Sequence, residues 1–154
     1  MKKILPPRRR VAEEGGSYTR SSRPPEPPKE LDAITRKIIG SAIRVHRALG
    51  PGLLESVYEN ALCVEFAAAG IAHERQVPVE LSYSGRVVGE FRLDLLVANL
   101  VIVEIKAVEQ LAPIHQAQLL GYLRAANRPL GLLINFNSIT LKSGVKRVIA
   151  GRGR

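Results

Sequence analysis

The sequence predicts an α/β domain in which helices flank a mixed β-sheet. Two segments with helical periodicity come first, three strand-like segments separated by short turns follow, and a further helix precedes another apolar segment. Strands joined by short turns pair antiparallel, whereas a strand, a crossover helix and a returning strand pair parallel. The 154 residues suffice for about one domain with a substantial core.

Two helices open the predicted domain. The first extends from near Leu31 to Leu49, with apolar residues at steps of three and four, and Gly50-Pro51 ends it. The second follows Gly52, and Gly70 is its expected C-terminal cap. The apolar stripe of the second helix is formed by Leu54, Tyr58, Ala61, Leu62 and Phe66.

The strands that follow are expected to form an antiparallel meander. Residues 77–83 alternate apolar and polar side chains, and Ser84-Gly85 forms a turn. Residues 86–97 and 100–107 form the second and third strands.

A crossover helix and a returning strand complete the predicted sheet. The helix begins at Pro113 and ends near Ala126, just before Asn127. The apolar segment from Leu130 is expected to be a buried strand parallel to the third strand. Residues 145–149 are a candidate edge strand.

Most of the basic charge lies toward the two ends of the sequence. The formal net charge is +9, and residues 1–29 and 142–154 contribute +5 each, which leaves −1 between them. The Pro- and Arg-rich residues 1–29 lack apolar periodicity and are expected to be a disordered leader, followed by a domain at 30–149 and a basic tail at 150–154. Such charge indicates non-specific attraction to phosphate, or simply solvated tails.

Several classes of protein are disfavoured. No apolar run reaches the ~18 residues of a membrane span, and the amino terminus lacks the apolar stretch of a signal peptide. A cytoplasmic location without a membrane partner is therefore expected. The single Cys63 permits neither an internal disulfide nor a thiolate metal cluster, and is expected to be a small apolar filler on a helix.

Three charges, Asp94, Glu104 and Lys106, stand within segments that otherwise resemble core strands. Burying such charges is costly without a partner, and a metal ion would be such a partner. Successive strand side chains point to opposite faces, so Glu104 and Lys106 share one face. Val103 and Ile105 then occupy the other face.

Whether Asp94 joins the other two charges depends on the turn after its strand. With a two-residue turn, Asp94 falls on the wrong face. With a three-residue loop at 98–100, Val97 pairs with Val101, and Asp94 lies opposite Glu104 with Cβ atoms ~5 Å apart. The loop contains an asparagine, which tolerates the left-handed conformation that it needs, so the three-residue loop is predicted.

Two carboxylates this close repel each other unless a cation lies between them. Oxygen ligands without a Cys or a His pair favour Mg²⁺ or Mn²⁺ over Zn²⁺, and the Ile105 carbonyl could add a ligand. Lys106 would then orient a water or stabilise charge on a phosphate. The alternative is a structural ion pair between Glu104 and Lys106 on a solvated sheet face.

A polar stripe on the crossover helix could face this site. His115, Gln118 and Tyr122 fall at steps of three and four. Gln118 could orient a water or hold a phosphate, and Tyr122 could contact the nucleic-acid backbone or a base, whereas His115 is not favoured as a metal ligand. By itself, each of these residue types is more often an ordinary surface or rim residue. Glu55, at the edge of the stripe on the second helix, lies either near the site or at its rim.

The motifs together resemble the GxxExxY proteins. The signature is G-L-L-E-S-V-Y at 52–58, and G-E-F-R-L-D-L-L-V, V-I-V-E-I-K-A-V-E, H-Q-A-Q-L-L-G-Y-L and G-L-L-I-N-F extend the resemblance over residues 31–149. That family is similar to the PD-(D/E)XK nuclease-like superfamily, which implies a restriction-endonuclease-like sheet. The Q-x-x-x-Y helix resembles exonuclease domains of bacterial recombination complexes. The Pro-Asp pair is absent, since Leu93 precedes Asp94.

The resemblance implies a Mg²⁺- or Mn²⁺-dependent nuclease that hydrolyses phosphodiester bonds, with DNA preferred to RNA as its substrate. The runner-up is a non-catalytic module that keeps the fold and binds nucleic acid or a protein, which the charge of −1 between the basic ends favours. Dimerisation or the tails would add basic surface. The catalytic residues would be Asp94, Glu104, Lys106, Glu55 and Gln118, the metal ligands Asp94 and Glu104 with Ile105, and the substrate contacts Tyr122 and Tyr58.

Overall fold

A computed structural model describes residues 28–151. The leader expected at 1–29 and the tail expected at 150–154 lie largely outside these residues, and Lys29 already belongs to the first helix. In chain order the elements are α1 (Lys29–Leu49), α2 (Glu55–Ala68), β1 (His73–Tyr83), β2 (Arg86–Val97), β3 (Val101–Lys106), α3 (Pro113–Ala126), β4 (Leu130–Asn135), a 3₁₀ helix (Leu141–Gly144) and β5 (Val145–Ile149).

The order of these elements agrees with the prediction from the sequence, including the edge strand at 145–149. The main difference is that β1 begins at His73 and not at residue 77. The polar residues 73–75 pair with β2 although they show no apolar alternation. The 3₁₀ helix was not predicted, because four residues are too few to show a periodicity.

The helices end at the glycine and asparagine residues at which the sequence predicts their ends. Gly50 terminates α1 with φ 70°, and Asn127 terminates α3 with φ 52°. After α2, Gly70 adopts φ 67°, and the Ile71 N–H donates to the Phe66 carbonyl at 2.9 Å. This is a Schellman motif, which turns the chain away from the helix and into β1.

The sheet has the strand order β1-β2-β3-β4-β5. β1, β2 and β3 form the antiparallel meander, and β5 pairs antiparallel with β4. β3 and β4 pair parallel, from Val101 and Leu130 to Lys106 and Asn135, and α3 connects them. The predicted mixed sheet is therefore confirmed. Within residues 28–151, no helix is long and apolar enough to cross a membrane.

Helices pack on both faces of the sheet. On one face, α1 and α2 pack against Val103 and Ile105 of β3. On the other, α3 packs against Ile102 of β3 and Leu133 of β4. The alternation along β3 agrees with the predicted division of its side chains, and it leaves Glu104 on the α3 side.

The loop between α1 and α2 is held by Tyr58. Its ring stacks on Phe136, with the ring centroids 4.5 Å apart. Its hydroxyl donates to the Gly50 carbonyl at 2.6 Å and accepts from the Leu53 N–H at 3.1 Å. The side chain is 0% exposed, and such a side chain cannot meet a substrate. The structure therefore corrects the predicted substrate contact of Tyr58 to a structural role.

Part of the charge expected in the carboxyl-terminal tail belongs to the folded domain. Lys142 lies in the 3₁₀ helix, and Lys146 and Arg147 lie in β5. Arg147 pairs with Asp32 of α1 at 3.6 Å. The basicity is thus partly a property of the sheet edge and of α1, and not only of the chain ends.

Candidate active site

The loop between β2 and β3 determines how the two predicted carboxylates meet. Val97 pairs with Val101, which leaves residues 98–100 in the loop. Two of them, Ala98 and Asn99, adopt left-handed backbone conformations with φ 52° and 55°. The predicted three-residue register is therefore confirmed.

Asp94 and Glu104 lie side by side, just beyond the last paired residues of β2 and β3. The Asp94 N–H donates to Glu104 Oε1 at 3.2 Å, and the Ile105 N–H donates to Asp94 Oδ2 at 2.9 Å. Pairing of the two strands stops at Leu95 and Val103. Side-chain oxygens therefore replace backbone carbonyls as acceptors between the strands at this point.

The strand geometry is irregular at Asp94. Pairing of β1 with β2 is interrupted at Asp94 and Gln76, where Gln76 adopts φ 49°. Before the interruption Leu93 packs with α3, whereas after it Leu95 packs with α1 and α2. Residues two apart in a regular strand share a face, so β2 twists at this point. The Asp94 carboxylate consequently lies at the boundary between the two layers.

Glu104 is held in an electrostatically unfavourable position. Only 6% of its surface is exposed. Burial raises the pKa of Glu104 well above its usual range, and the negative charge of Asp94 raises it further. A hydrogen bond from the Asp94 backbone and the charge of Lys106 act in the opposite direction. A buried carboxylate beside a second acid lacks positive charge, which a cation can supply.

Tyr122 of α3 lies close to the two carboxylates. Its ring stacks on Phe91, with the centroids 4.2 Å apart, and its side chain is 9% exposed. Burial, followed by the charges of Glu104 and Asp94, raises the pKa of Tyr122. The phenol is therefore a neutral hydrogen-bonding group beside the acids at neutral pH.

A cleft of about 600 Å³ opens beside Asp94 at the amino end of α2. Two acids of α2, Glu55 and Glu59, line it together with Asp94, and Ile105 adds an apolar wall. Glu55 is exposed at the first residue of the helix. Glu55 and Asp94 line the same cleft. The remaining lining residues are Leu53, Leu54, Ser56, Gln76 and Ala107.

Glu59 is a buried acid of the cleft that the sequence analysis missed. Its two oxygens accept hydrogen bonds from Gln76 Nε2 at 2.7 Å and from Arg75 Nη2 at 3.0 Å. Glu59 follows Glu55 by four residues, a spacing that places both acids on one face of α2, and this was the available signal. Its partners could not be found in the same way, because they lie in the polar part of β1 where no strand was predicted.

The chain matches one protein-family model over most of its length. The model described as the PD-(D/E)XK nuclease superfamily matches residues 32–148, which is more than half of the chain. The chain belongs to this superfamily. A search of curated proteins finds no match. The mixed five-stranded sheet with helices on both faces is consistent with the restriction-endonuclease-like fold.

In this PD-(D/E)XK domain the predicted lysine lies at the end of β3. Lys106 is half-buried, and its charge lowers the pKa of Glu104, so the two side chains are close. The residue paired with Lys106 on β4 is Asn135, which is 2% exposed. The Asn135 amide accepts from the Val108 N–H at 3.1 Å and donates to the Val108 carbonyl at 2.9 Å. Asn135 therefore fixes the chain directly after Lys106.

The other predicted residues of the PD-(D/E)XK site lie on α3. Gln118 is half-buried one turn before Tyr122, so both lie on the same side of the helix. His115 Nδ1 accepts a hydrogen bond from the Ala112 N–H at 3.0 Å. His115 therefore helps to cap the amino end of α3.

The donor set of the PD-(D/E)XK site suits a hard divalent cation. Within residues 28–151, no three His, Cys, Asp or Glu side chains form a group that could hold a metal by themselves. Asp94 and Glu104 supply two carboxylates. The N–H and C=O of a strand residue point the same way, and the Ile105 N–H points to Asp94, so the Ile105 carbonyl faces the same gap. These oxygen donors fit Mg²⁺, which keeps several waters and binds through one or two carboxylates.

Proposed function

We propose that this PD-(D/E)XK domain hydrolyses phosphodiester bonds of nucleic acid with the aid of Mg²⁺ or Mn²⁺. The proposal rests on one observation, the pairing of the buried Glu104 with Asp94, and of these two acids it is Asp94 that lines the cleft. The fold keeps these like charges together although burial and repulsion raise the pKa of Glu104. Perturbed ionisable groups in a cleft are typical of functional sites.

The predicted site residues around Asp94 have distinct roles in the proposed reaction. The Asp94 and Glu104 carboxylates and the Ile105 carbonyl hold the metal, which polarises a water and the scissile phosphate when bound. Lys106 places positive charge where negative charge develops on the phosphate. Glu55, exposed at the cleft, orients the attacking water or takes a proton from it.

Two residues of α3 also have roles in the proposed reaction. Gln118 orients the water or holds a phosphate oxygen. Tyr122 is 9% exposed and stacks on Phe91, so we propose that only its hydroxyl contacts the substrate. The likeness of the Q-x-x-x-Y helix to exonuclease domains of bacterial recombination complexes supports DNA in preference to RNA.

One observation favours a second function, a module that binds nucleic acid or a protein without cleaving it. Asp94 Oδ2 and Glu104 Oε1 accept backbone hydrogen bonds where the pairing of β2 and β3 has stopped. Both acids therefore have a structural task, and a chain without catalytic activity would retain them for that reason. Cleavage and metal binding distinguish the two functions.

Cleavage assays on labelled DNA and RNA test the proposed reaction. Wild type is compared with Asp94→Asn and Lys106→Ala, and with Lys142→Ala as a control, since Lys142 is exposed on the 3₁₀ helix. Each protein is assayed with Mg²⁺, Mn²⁺ or EDTA. We expect metal-dependent cleavage that falls about 100-fold or more in the first two variants and is unchanged in the control. Equal cleavage by every protein, including in EDTA, would indicate contamination and overturn the proposal.

Metal binding can be followed without any activity, by thermal unfolding. Mg²⁺ should raise the wild-type Tm, because a ligand that binds only the folded state stabilises it by about 2.7 kcal/mol at 100 times its Kd. Asp94→Asn and Glu104→Gln should abolish this shift, whereas Glu55→Gln should retain most of it. A shift of the same size in all four proteins would place the bound metal elsewhere.

A further inference from the structure

The solvent face of α1 carries a row of basic side chains. At 3.6 residues per turn they fall within an arc of about 100°. Their exposed arc lies opposite Ile38, Ala42 and Val45, which are buried in the core. We call this row the α1 stripe, and it consists of Lys29, Arg36, Lys37, Arg44 and Arg47.

The α1 stripe accounts for the whole net positive charge of the described domain. α1 contains five basic and two acidic residues, whereas the remaining residues of 28–151 contain nine of each. The carboxylates at the cleft all lie on other elements. The two regions therefore have opposite charge, and of the two it is the stripe that attracts a polyanion.

Much of the stripe is available to an external partner. Lys29, Lys37 and Arg47 are exposed and form no ion pair with any other residue of 28–151. Arg36 pairs with Asp32 at 3.1 Å, but its side chain is 80% exposed, so this pair is weak. A Cβ added at Gly40, within the row, would meet only Arg44 Nη1, at 3.8 Å. A phosphate backbone can therefore approach the surface of α1 closely at Gly40.

A short loop of the chain joins the carboxyl-terminal end of the stripe to the cleft. The stripe extends about 27 Å from Lys29 to Arg47, at 1.5 Å per residue. Arg47 lies in the last turn of α1, and the loop that follows contains Leu53 and Leu54, which line the cleft. We propose that the α1 stripe binds the phosphate backbone of a nucleic acid and guides it to the cleft. This inference rests on the proposed nucleic-acid substrate, but it concerns binding and not hydrolysis.

A nucleic acid fits these observations better than a membrane surface. A basic amphipathic helix binds a membrane by inserting its apolar face. The apolar face of α1 is already buried against the sheet, with Ile38 and Ala42 both 0% exposed. The cations that remain lie along one exposed side of the helix, where they can contact successive phosphates of an extended backbone.

Binding to a labelled DNA duplex, measured by fluorescence anisotropy in EDTA, tests the inference. The full chain is used, so that residues 1–27 and 152–154 are the same in every protein. The stripe variant carries Lys29→Gln, Lys37→Gln and Arg47→Gln. The control variant loses the same charge through Arg86→Gln, Arg92→Gln and Lys142→Gln, all exposed and on other elements.

The stripe variant should bind the duplex at least tenfold more weakly at moderate salt. Its slope of log affinity against log salt should fall by about 2.7, since each lost phosphate contact removes about 0.9. The control variant should stay within about threefold of wild type. Equal losses in both variants would show that only net charge matters, and an unaffected stripe variant would also overturn the inference. The inference would also be overturned if the stripe variant lost binding to anionic phosphatidylserine vesicles but kept its binding to the duplex.

One further protein separates this inference from the proposed reaction. Asp94→Asn should bind the duplex in EDTA as wild type does. If wild type binds through the stripe but never cleaves, the proposed hydrolysis fails and the binding surface remains. If Asp94→Asn abolishes cleavage but the stripe variant binds normally, the stripe inference alone fails.

Discussion

Glu59 and Glu104 are both buried carboxylates, 8% and 6% exposed, but their surroundings are opposite. The oxygens of Glu59 accept hydrogen bonds from Gln76 and from Arg75. The bond to Glu59 in turn raises the pKa of Arg75. Glu104 lies beside the like charge of Asp94, and burial and that charge raise its own pKa well above the usual range.

This difference separates an acid that the protein neutralises from one that it does not. A buried charge with a cationic partner stabilises a fold when removing it would leave that partner unpaired. A buried acid beside another acid opposes folding unless a cation from outside joins it. We therefore interpret Glu59 as the support of the cleft, and the pair of Asp94 and Glu104 as its chemical centre.

The largest expected change in stability comes from Glu59→Ala. The substitution removes the acceptor of Gln76 and one acceptor of Arg75, which keeps its bond to the Asn60 amide oxygen. We expect a loss of about 2 kcal/mol in the free energy of unfolding. Urea denaturation measures this loss, with Glu55→Ala as the matched control on the exposed turn of the same helix. Equal losses for the two variants would contradict the assignment of Glu59 as a neutralised, structural acid.

Glu104→Gln should have the opposite sign and stabilise the metal-free protein, by an amount of the order of 1 kcal/mol at neutral pH. Because the pKa of Glu104 is raised in the folded protein, protonation of Glu104 stabilises the fold. This contribution to the free energy of unfolding is fully present below the ordinary pKa of glutamate. That contribution is lost as the pH rises through the raised value. Thermal unfolding in EDTA from about pH 4 to pH 8 should show this loss in wild type and a smaller one in the variant. Destabilisation by Glu104→Gln at neutral pH would contradict the interpretation of Glu104 as an acid that the protein does not neutralise.

A smaller change in stability is expected for substitutions at Gln76, where the loss of a hydrogen bond and the relief of backbone strain oppose each other. Gln76→Gly loses the hydrogen bond to Glu59 but relieves a left-handed backbone conformation, so the net change should be below about 1 kcal/mol. Gln76→Ala loses the same bond and keeps the strain. The glycine variant should therefore be the more stable of the two, which is the reverse of the usual order in a strand. The usual order would show that the backbone at Gln76 is not strained.

The smallest change in stability is expected for Glu55→Gln, within about 0.5 kcal/mol, because Glu55 is exposed. If Glu55 orients or deprotonates the attacking water, cleavage should nevertheless fall about 100-fold. Unfolding and cleavage are measured on the same preparation. Full activity would remove Glu55 from the proposed site and leave the comparison between Glu59 and Glu104 intact.

Most of the elements could be predicted because their signals are local. The spacing of apolar residues and the punctuation at Gly50, Pro113 and Asn127 located the helices within a few residues. The strand at 86–97 was predicted with both of its ends. The start of β1 was not, because residues 73–75 are polar and become a strand only through pairing with β2.

The candidate site could be predicted in part for the same reason. The pairing of Asp94 with Glu104 followed from the length of one loop, which allowed only two registers. The partners of Glu59 lie 16 and 17 residues away in sequence, and their conformation includes a left-handed Gln76 that no local pattern indicates. The burial of Tyr58 against Phe136 could not be predicted, because it depends on a contact between segments that are distant in sequence.

By itself the sequence determined that Glu104 and Lys106 share a face of one strand, because the alternation of strand side chains is a local property of the backbone. It also determined the order of helices and strands. Only the tertiary structure decided which of the two registers Asp94 and Glu104 adopt, that Asp94 lines a cleft, and that Glu59 is neutralised nearby. These relations depend on strand register and on contacts between segments that are distant in sequence, and the energy of a buried charge depends on those neighbours.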